Sequence, residues 1–307
     1  MTDNDALAVL DAAAESGVTF LDTADVYGDG RSEQLIGRFL SSDAAPQVMV
    51  ATKMGRRVPQ DPARYTLENF RGWTDRSRVN LGVDVLDLVQ LHCPPTPVYS
   101  SDEVYDALDT LVSEQRIAAY GVSVETCDEA LTAIARPGTA SVQIILNAFR
   151  RKPLEHVLPA AAAAGVGIIA RVPLASGLLS GRYSSDSVFG ADDHRAYNRH
   201  GEAFDVGETF SGVDFDTGVG AAREFAAIAG GIGGREASAP QASTAQIALR
   251  WIIQQPGVTT VIPGARSPGQ ARQNAAAAAL APLSEPALAA IRDLYDRRIR
   301  AQIHDRW

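Results

Sequence analysis

Three apolar runs in this 307-residue chain each stop on a polar residue of a different chemical type. VTFLD ends on Asp22, with Tyr27 following in DTADVYG. VMVATK ends on Lys53, and LDLVQLH ends on His92. Each residue has an ordinary reading by itself. Asp22 or Asp25 can cap a helix. Tyr27 can be a packing aromatic, Lys53 a solvated strand-end lysine, and His92 part of a loop stiffened by Pro94 and Pro95. Their joint occurrence at the ends of successive strands points instead to proton transfer. A phenol titrates near about 10, too high for a good donor at neutral pH. An ammonium beside it favours the phenolate and lowers that value. The aspartate would hold the lysine charged and oriented. The histidine would polarise a carbonyl oxygen by hydrogen bonding to it. Nothing in this tetrad donates a hydride, so a nicotinamide cofactor is the expected source.

Such groups need strands whose C-terminal ends converge. Short runs rich in Val, Ile and Leu read as strands at 18–22, 48–52, 86–91, 118–123, 141–146, 166–172 and 259–264. Continuous apolar runs of this kind are strands buried on both faces. Helical periodicity falls between them, at 5–16, 32–40, 66–82, 102–116, 127–135, 155–165 and 244–257, and again at 268–280 and 284–303. Strict alternation predicts a parallel sheet. A TIM-type (β/α)8 barrel with seven readable strands fits best, and an open doubly wound sheet is the alternative. No composition break divides residues 1–307, which read as one domain. In such a barrel the strand C-termini carry the chemistry, because the interior below them is packed solid.

Residues 181–220 break the rhythm. They are polar, glycine-rich and weakly periodic, and a loop this long in a compact domain is usually functional. They follow a strand ending near Val172, so they are expected to lie over the mouth. A second glycine-rich stretch, AGGIGGREASAP at 229–240, has no strand before it and reads as a connector. The tail IRDLYDRRIRAQIHDRW reads as an amphipathic helix with Ile291 and Leu294 inward.

Composition narrows the function. The chain is 46% hydrophobic, with a net charge of −9 and a pI near 5.1. General nucleic-acid binding needs a basic face and is not expected. No apolar run reaches the ~20 residues of a membrane span. The acidic N-terminus lacks the order of a signal peptide. Cys93 and Cys127 make neither a CxxC motif nor a disulfide framework, so a cytoplasmic setting is expected. His156, His194, His200 and His304 have no metal-ligand spacing, and no metal is expected.

With FLDTADVYGDGRSE, ATK, DLVQLH, YGVS, VQIILN, RVPLASGLLSGRY and VIPGARSPGQARQN in that order, the chain resembles the aldo-keto reductase superfamily over essentially its whole length. The resemblance implies an (α/β)8 barrel that binds NADP(H) across the strand C-termini without a Rossmann fingerprint. It implies reduction of a small aldehyde or ketone, with Tyr27 as general acid, Lys53 and Asp22 as its partners, and His92 orienting the substrate. It implies that Ser123, Gln143 and Asn147 hold the nicotinamide amide. Pro173, Leu174, Ser176, Gly177 and Leu179 would run along the pyrophosphate. Gly264, Ala265, Arg266, Gln270 and Asn274 would hold the adenosine-phosphate end. Independently, Arg266 and Arg272 sit in an acid-free stretch that opens a helix, and both features favour a phosphate. Substrate loops are expected at Met54–Asp61, Pro94–Ser100 and 181–220.

Three departures stand out. The family's usual first strand, with its Gly-Leu-Gly-Thr-type end, is not seen, and the chain opens on the helix that should follow it. Its loss would expose two parallel edges and remove cofactor contacts. Leu146 stands where many members place an aromatic over the nicotinamide, and Val124 replaces a common asparagine. The rival expectations are an NADP(H)-binding regulatory or scaffold protein, or an inactive truncated barrel. Substrate identity and oligomeric state are not legible.

Overall fold

The computed structural model describes residues 1–42, 47–232 and 242–307. Its centre is one sheet of seven parallel strands, ordered in space as in sequence. They are β1 (Phe20–Asp22), β2 (Met49–Met54), β3 (Leu86–His92), β4 (Ile117–Ser123), β5 (Thr139–Ile145), β6 (Gly167–Arg171) and β7 (Thr260–Val261). A doubly wound sheet reverses its order at a switch point. This one never does, so that alternative falls.

The sheet curls. Gln143 on β5 lies 2.7 Å from Asp22 on β1, although the two strands are four places apart. In a flat sheet they would be roughly 19 Å apart, at ~4.8 Å per strand. The outermost strands, β1 and β7, line one cavity. Helices α1 (Asp3–Glu15) and α10 (Pro268–Ala276) pack together outside it, joined by Arg272 and Glu15 at 3.2 Å. Among the described residues no strand fills the place between β1 and β7. The expected barrel with seven strands is thus the observed one.

Burial explains which strands were easiest to read. β3 buries every residue but Asp87, whose carboxylate accepts from Val50 N at 2.9 Å. β1 and β7 have one neighbour each and are half-buried. The intervening helices are α2 (Arg31–Leu40), α3 (Leu67–Leu81), α4 (Asp102–Ser113), α5 (Cys127–Ile134) and α6 (Val157–Ala164). Thr66 caps α3 by accepting from Asn69 N, and Gly82 ends it at φ 68°, a conformation only glycine adopts without strain. Thr126 with Glu129 forms a capping box at the start of α5.

Residues 181–220 are not one loop. They contain a short helix α7 (His194–Tyr197) and the first residues of α8 (Phe215–Gly231). α8 also takes up residues 229–231 of the expected connector, while 233–240 lie outside the described residues. Gly218, Gly220, Gly230 and Gly231 weaken the helical pattern, at ~1 kcal/mol each relative to alanine. Gly218 has a packing reason, since a Cβ there would come within 2.8 Å of Leu178 Cδ1. After α9 (Thr244–Ile253) and β7, the chain closes with α10 and α11 (Glu285–Arg298). Ile291 and Leu294 are buried, as the pattern predicts. No described helix is long and apolar enough to cross a membrane.

Candidate active site

The strand ends bring the tetrad together. Asp22 ends β1, Lys53 is the penultimate residue of β2, and His92 ends β3. Tyr27 stands on the turn between β1 and α2. That turn is shaped by left-handed backbone at Gly28, Asp29 and Gly30, and Gly30, not an aspartate, caps α2. Lys53 Nζ is 2.5 Å from Asp22 Oδ2 and donates to Thr23 O at 2.9 Å. It also stands 5.3 Å from the centre of the Tyr27 ring. Tyr27 and His92 meet edge to face at 5.8 Å. Beneath them, Gln143 Nε2 donates to Asp22 Oδ1 at 2.7 Å, and Gln90 Nε2 approaches the same oxygen at 3.5 Å.

The electrostatics divide the roles. Burial of the hydroxyl end raises the Tyr27 phenol above its ordinary value, and the Lys53 charge opposes that rise. Tyr27 as a residue remains 42% exposed and lines the cavity. Burial first, then the charges of Arg56, Lys53 and Arg171, push His92 well below the usual histidine range. His92 is therefore neutral, and its Nδ1 has no hydrogen-bond partner among the described residues.

Behind the Tyr27 turn lies a second carboxylate group. Glu33 accepts from Thr52 Oγ1 at 2.6 Å and from Asn80 Nδ2 at 2.8 Å. Asp25 is fully buried, and among the described residues neither of its carboxylate oxygens has a well-formed hydrogen bond. Burial, then Glu33, pushes Asp25 up to about 7.

A cavity of about 630 Å³ joins the reacting groups to the expected cofactor segments. Asp22, Tyr27, His92, Ser123 and Gln143 line it together with Gly264, Ala265 and Asn274. Lys53 sits beneath, fully buried. Asn147 is elsewhere: it is buried, donates to Val172 O and Ser211 Oγ, and accepts from Phe149 N. Leu146 and Val124 are buried in the core. Pro173, Leu174, Ser176, Gly177 and Leu179 form a loop beside the cavity, with left-handed backbone at Val172, Ala175, Ser176 and Gly177. Ser176 Oγ donates to Glu208 O and accepts from Phe210 N, so residues 208–210 lie directly on that loop.

The third segment opens α10. Gln270 accepts from Arg266 N at 2.7 Å, and Asn274 donates to Gly264 O at 3.2 Å. The Arg266 side chain is 78% exposed and stands 3.8 Å from Asp193. An exposed guanidinium beside a helix start fits a phosphate. The residues present therefore fit an extended dinucleotide.

A cluster that the sequence did not reveal adjoins the cavity. Arg171 at the end of β6, Arg56 after β2, Glu125 after β4 and Glu208 form ion pairs of 2.8–3.6 Å. Their positions run from 56 to 208, so no spacing signals them. Cys93, Glu125 and Glu208 come close enough to share a metal. The two arginines already neutralise the carboxylates, and burial pushes the Cys93 thiol up to about 12, so the group is a poor cation site.

The fold recurs in known proteins. The aldo/keto reductase family profile matches residues 1–296. Aldo-keto reductase str7 of Strobilurus tenacellus is 30% identical over 95% of this chain and 82% of its own. The glycerol dehydrogenase AKR11B4 of Gluconobacter oxydans superposes with a TM-score of 0.75, at 26% identity, over 97% of this chain and 88% of its own. A Klebsiella pneumoniae aldo-keto reductase in complex with NADPH gives 0.68 at 24% identity, over 95% and 85%. A parallel barrel with an acid, an amine, a phenol and an imidazole at its strand ends thus has a family match across nearly its whole length, and the chain belongs to the aldo/keto reductase family of oxidoreductases.

Proposed function

We propose that this protein reduces an aldehyde or ketone to an alcohol with NADPH, using Tyr27 as the general acid. The observation that carries the reading is one cavity lined both by Tyr27 and His92 and by Gly264, Ala265 and Asn274. Bound NADPH supplies the hydride to the carbonyl carbon. The chain supplies everything else. Neutral His92 hydrogen-bonds the carbonyl oxygen and orients it. Tyr27 gives its proton to that oxygen as negative charge develops there. Lys53 stabilises the phenolate left behind, and Asp22 fixes Lys53 by their 2.5 Å pair. Gln143 and Gln90 hold Asp22 in turn. Glu208, from the 181–220 segment expected over the mouth, lines the same cavity. The free thiols of Cys93 and Cys127 suit a reducing, cytoplasmic compartment.

The test measures NADPH binding and NADPH oxidation with a simple aldehyde on the same sample. Both are expected. Tight binding with no oxidation would leave a nucleotide-binding protein without turnover and overturn the reading.

A further inference from the structure

The reduction just described makes no use of the charged cluster at the cavity wall, although Arg171 and Glu208 line the same cavity as Tyr27 and His92. Arg171 is 8% exposed. Its Nη2 donates to Val124 O at 3.0 Å and to Glu125 Oε2 at 2.8 Å. Its Nη1 stands 3.6 Å from Glu208 Oε1. Its Nε is buried and has no hydrogen-bond partner among the described residues. Arg56 donates through Nε to His92 O at 3.1 Å. Its Nη2 reaches Glu125 at 3.3 Å and Glu208 at 3.4 Å. Two guanidiniums therefore meet two carboxylates beside the reacting position.

The two acids are crowded. A carboxylate oxygen of Glu125 and one of Glu208 lie within 4.8 Å of each other, and each charge disfavours the other. Burial raises Glu125. It also works against ionising Glu208, but Arg171 and Arg56 overcome it and hold that carboxyl below its ordinary value. Two cations thus face two carboxylates that disfavour each other's charge. A net buried charge is costly unless it is paired, and guanidinium forks pair best with planar carboxylates.

Of the two acids, Glu208 is the more easily replaced. It makes the longer pairs with Arg171 and Arg56, at 3.4–3.6 Å, whereas Glu125 holds Arg171 at 2.8 Å. Its side chain is 22% exposed. It belongs to the segment between β6 and α8 rather than to a strand end. Its backbone is tied down by Ser176, so the side chain can turn aside without moving the loop.

We propose that Arg171 and Arg56 form an anion seat for a carboxylate carried by the carbonyl substrate, with Glu208 as the internal counter-ion that the substrate displaces. The preferred substrates are then oxo acids rather than neutral aldehydes. This rests on the carbonyl-reducing reading of the same site.

The first test needs no turnover. Benzoate and benzamide are added to the NADPH-saturated protein, and the melting temperature is followed. Benzoate should stabilise and benzamide should not. Glu208→Gln should strengthen the benzoate effect, and Arg56→Gln should remove it. Equal effects of benzoate and benzamide would overturn the seat. The second test compares kcat/KM for pyruvate and pyruvamide, and for 4-carboxybenzaldehyde and its carboxamide. The acid of at least one pair should be favoured by about tenfold or more, the size of one charge-assisted hydrogen bond. Glu208→Gln should raise that ratio and Arg56→Gln should lower it. If Arg56→Gln does not fold, the wild-type and Glu208→Gln ratios decide. Neutral substrates reduced as well as the acids would overturn the seat while leaving the reductase reading intact. A tenfold change in NADPH affinity in Glu208→Gln, with the acid-to-amide ratio unmoved, would assign the arginines to a cofactor phosphate and also overturn it.

Discussion

Gln143 and Asp22 meet across the barrel interior, with Gln143 Nε2 donating to Asp22 Oδ1 at 2.7 Å. The contact joins β5 to β1 and ties the floor of the cavity to the lysine–aspartate pair. Asp22 therefore has two fixed neighbours: Lys53 on one oxygen and the Gln143 amide on the other. An aspartate so held keeps the Lys53 ammonium at one distance from the Tyr27 ring. That matters because burial and the lysine charge act on the Tyr27 phenol in opposite directions. Displacing Lys53 from the ring would weaken the charge that opposes burial and let the phenol rise further.

Tyr27→Phe should lower the rate of aldehyde reduction by about 10²–10⁴, the usual worth of a general acid. NADPH affinity should stay nearly unchanged, because only the hydroxyl is removed. Steady-state turnover and NADPH titration on one preparation give both numbers. Activity within a few-fold of wild type would remove Tyr27 from the mechanism.

Arg266→Ala should weaken NADPH far more than NADH, since only NADPH carries the 2′-phosphate. A charge-assisted hydrogen bond of about 1.5–3 kcal/mol corresponds to roughly tenfold to a hundredfold in affinity. The Arg266 side chain is exposed and only loosely paired with Asp193, so its removal leaves the fold intact. Equal loss for both cofactors, read by titration, would refute a phosphate contact.

These positions differ in how legible they were. The four candidate residues stood out because β2 and β3 are mostly apolar before Lys53 and His92, which are polar yet buried. Arg56, Glu125, Arg171 and Glu208 are brought together only by the curl of the sheet and the path of the segment above it. Helix α8 was hidden for a different reason. Its glycines suit close packing, as at Gly218 against Leu178, and they erase the periodicity that marks a helix. Asn147 was assigned by its motif, yet its amide is wholly committed to Val172 O, Ser211 and Phe149 N. A motif gives residue type and order, but not which way the side chain turns.

Asp25 should make stability depend on pH. Its folded value is raised to about 7 from an ordinary 3.8 by burial and by Glu33, with Arg57 and Arg76 opposing. The folded state therefore favours the protonated acid. Its contribution is complete below about pH 4 and is lost as pH rises through about 7. At ~1.4 kcal/mol per unit, the loss is at most ~4 kcal/mol. Asp25→Asn cannot ionise and should flatten this dependence, with its largest gain in melting temperature above pH 7. Parallel melting curves for wild type and Asp25→Asn between pH 5 and pH 8.5 would refute the assignment.

Trp307 should act as the seat of the segment that carries Glu208. It is buried, its Nε1 donates to Asp205 Oδ1 at 3.0 Å, and Arg150 stacks over its ring at 3.8 Å. Gly212 is left-handed at φ 76°, and a Cβ there would fall 2.3 Å from the Trp307 ring. The indole thus packs directly on the backbone of residues 205–212. Truncating a buried tryptophan to alanine costs ~3–5 kcal/mol when the whole fold depends on it, and less when one segment can detach. Here the indole's hydrogen bond and cation contacts go to Asp205, Arg150 and Arg306, so local release is expected. Trp307→Ala should speed amide exchange at 205–212 and raise KM, while strands β2–β6 keep their protection. Gly212→Ala should do the same through backbone strain and the clash with the ring. Exchange at 205–212 as slow as in wild type, in both variants, would show that the segment is held without the tail.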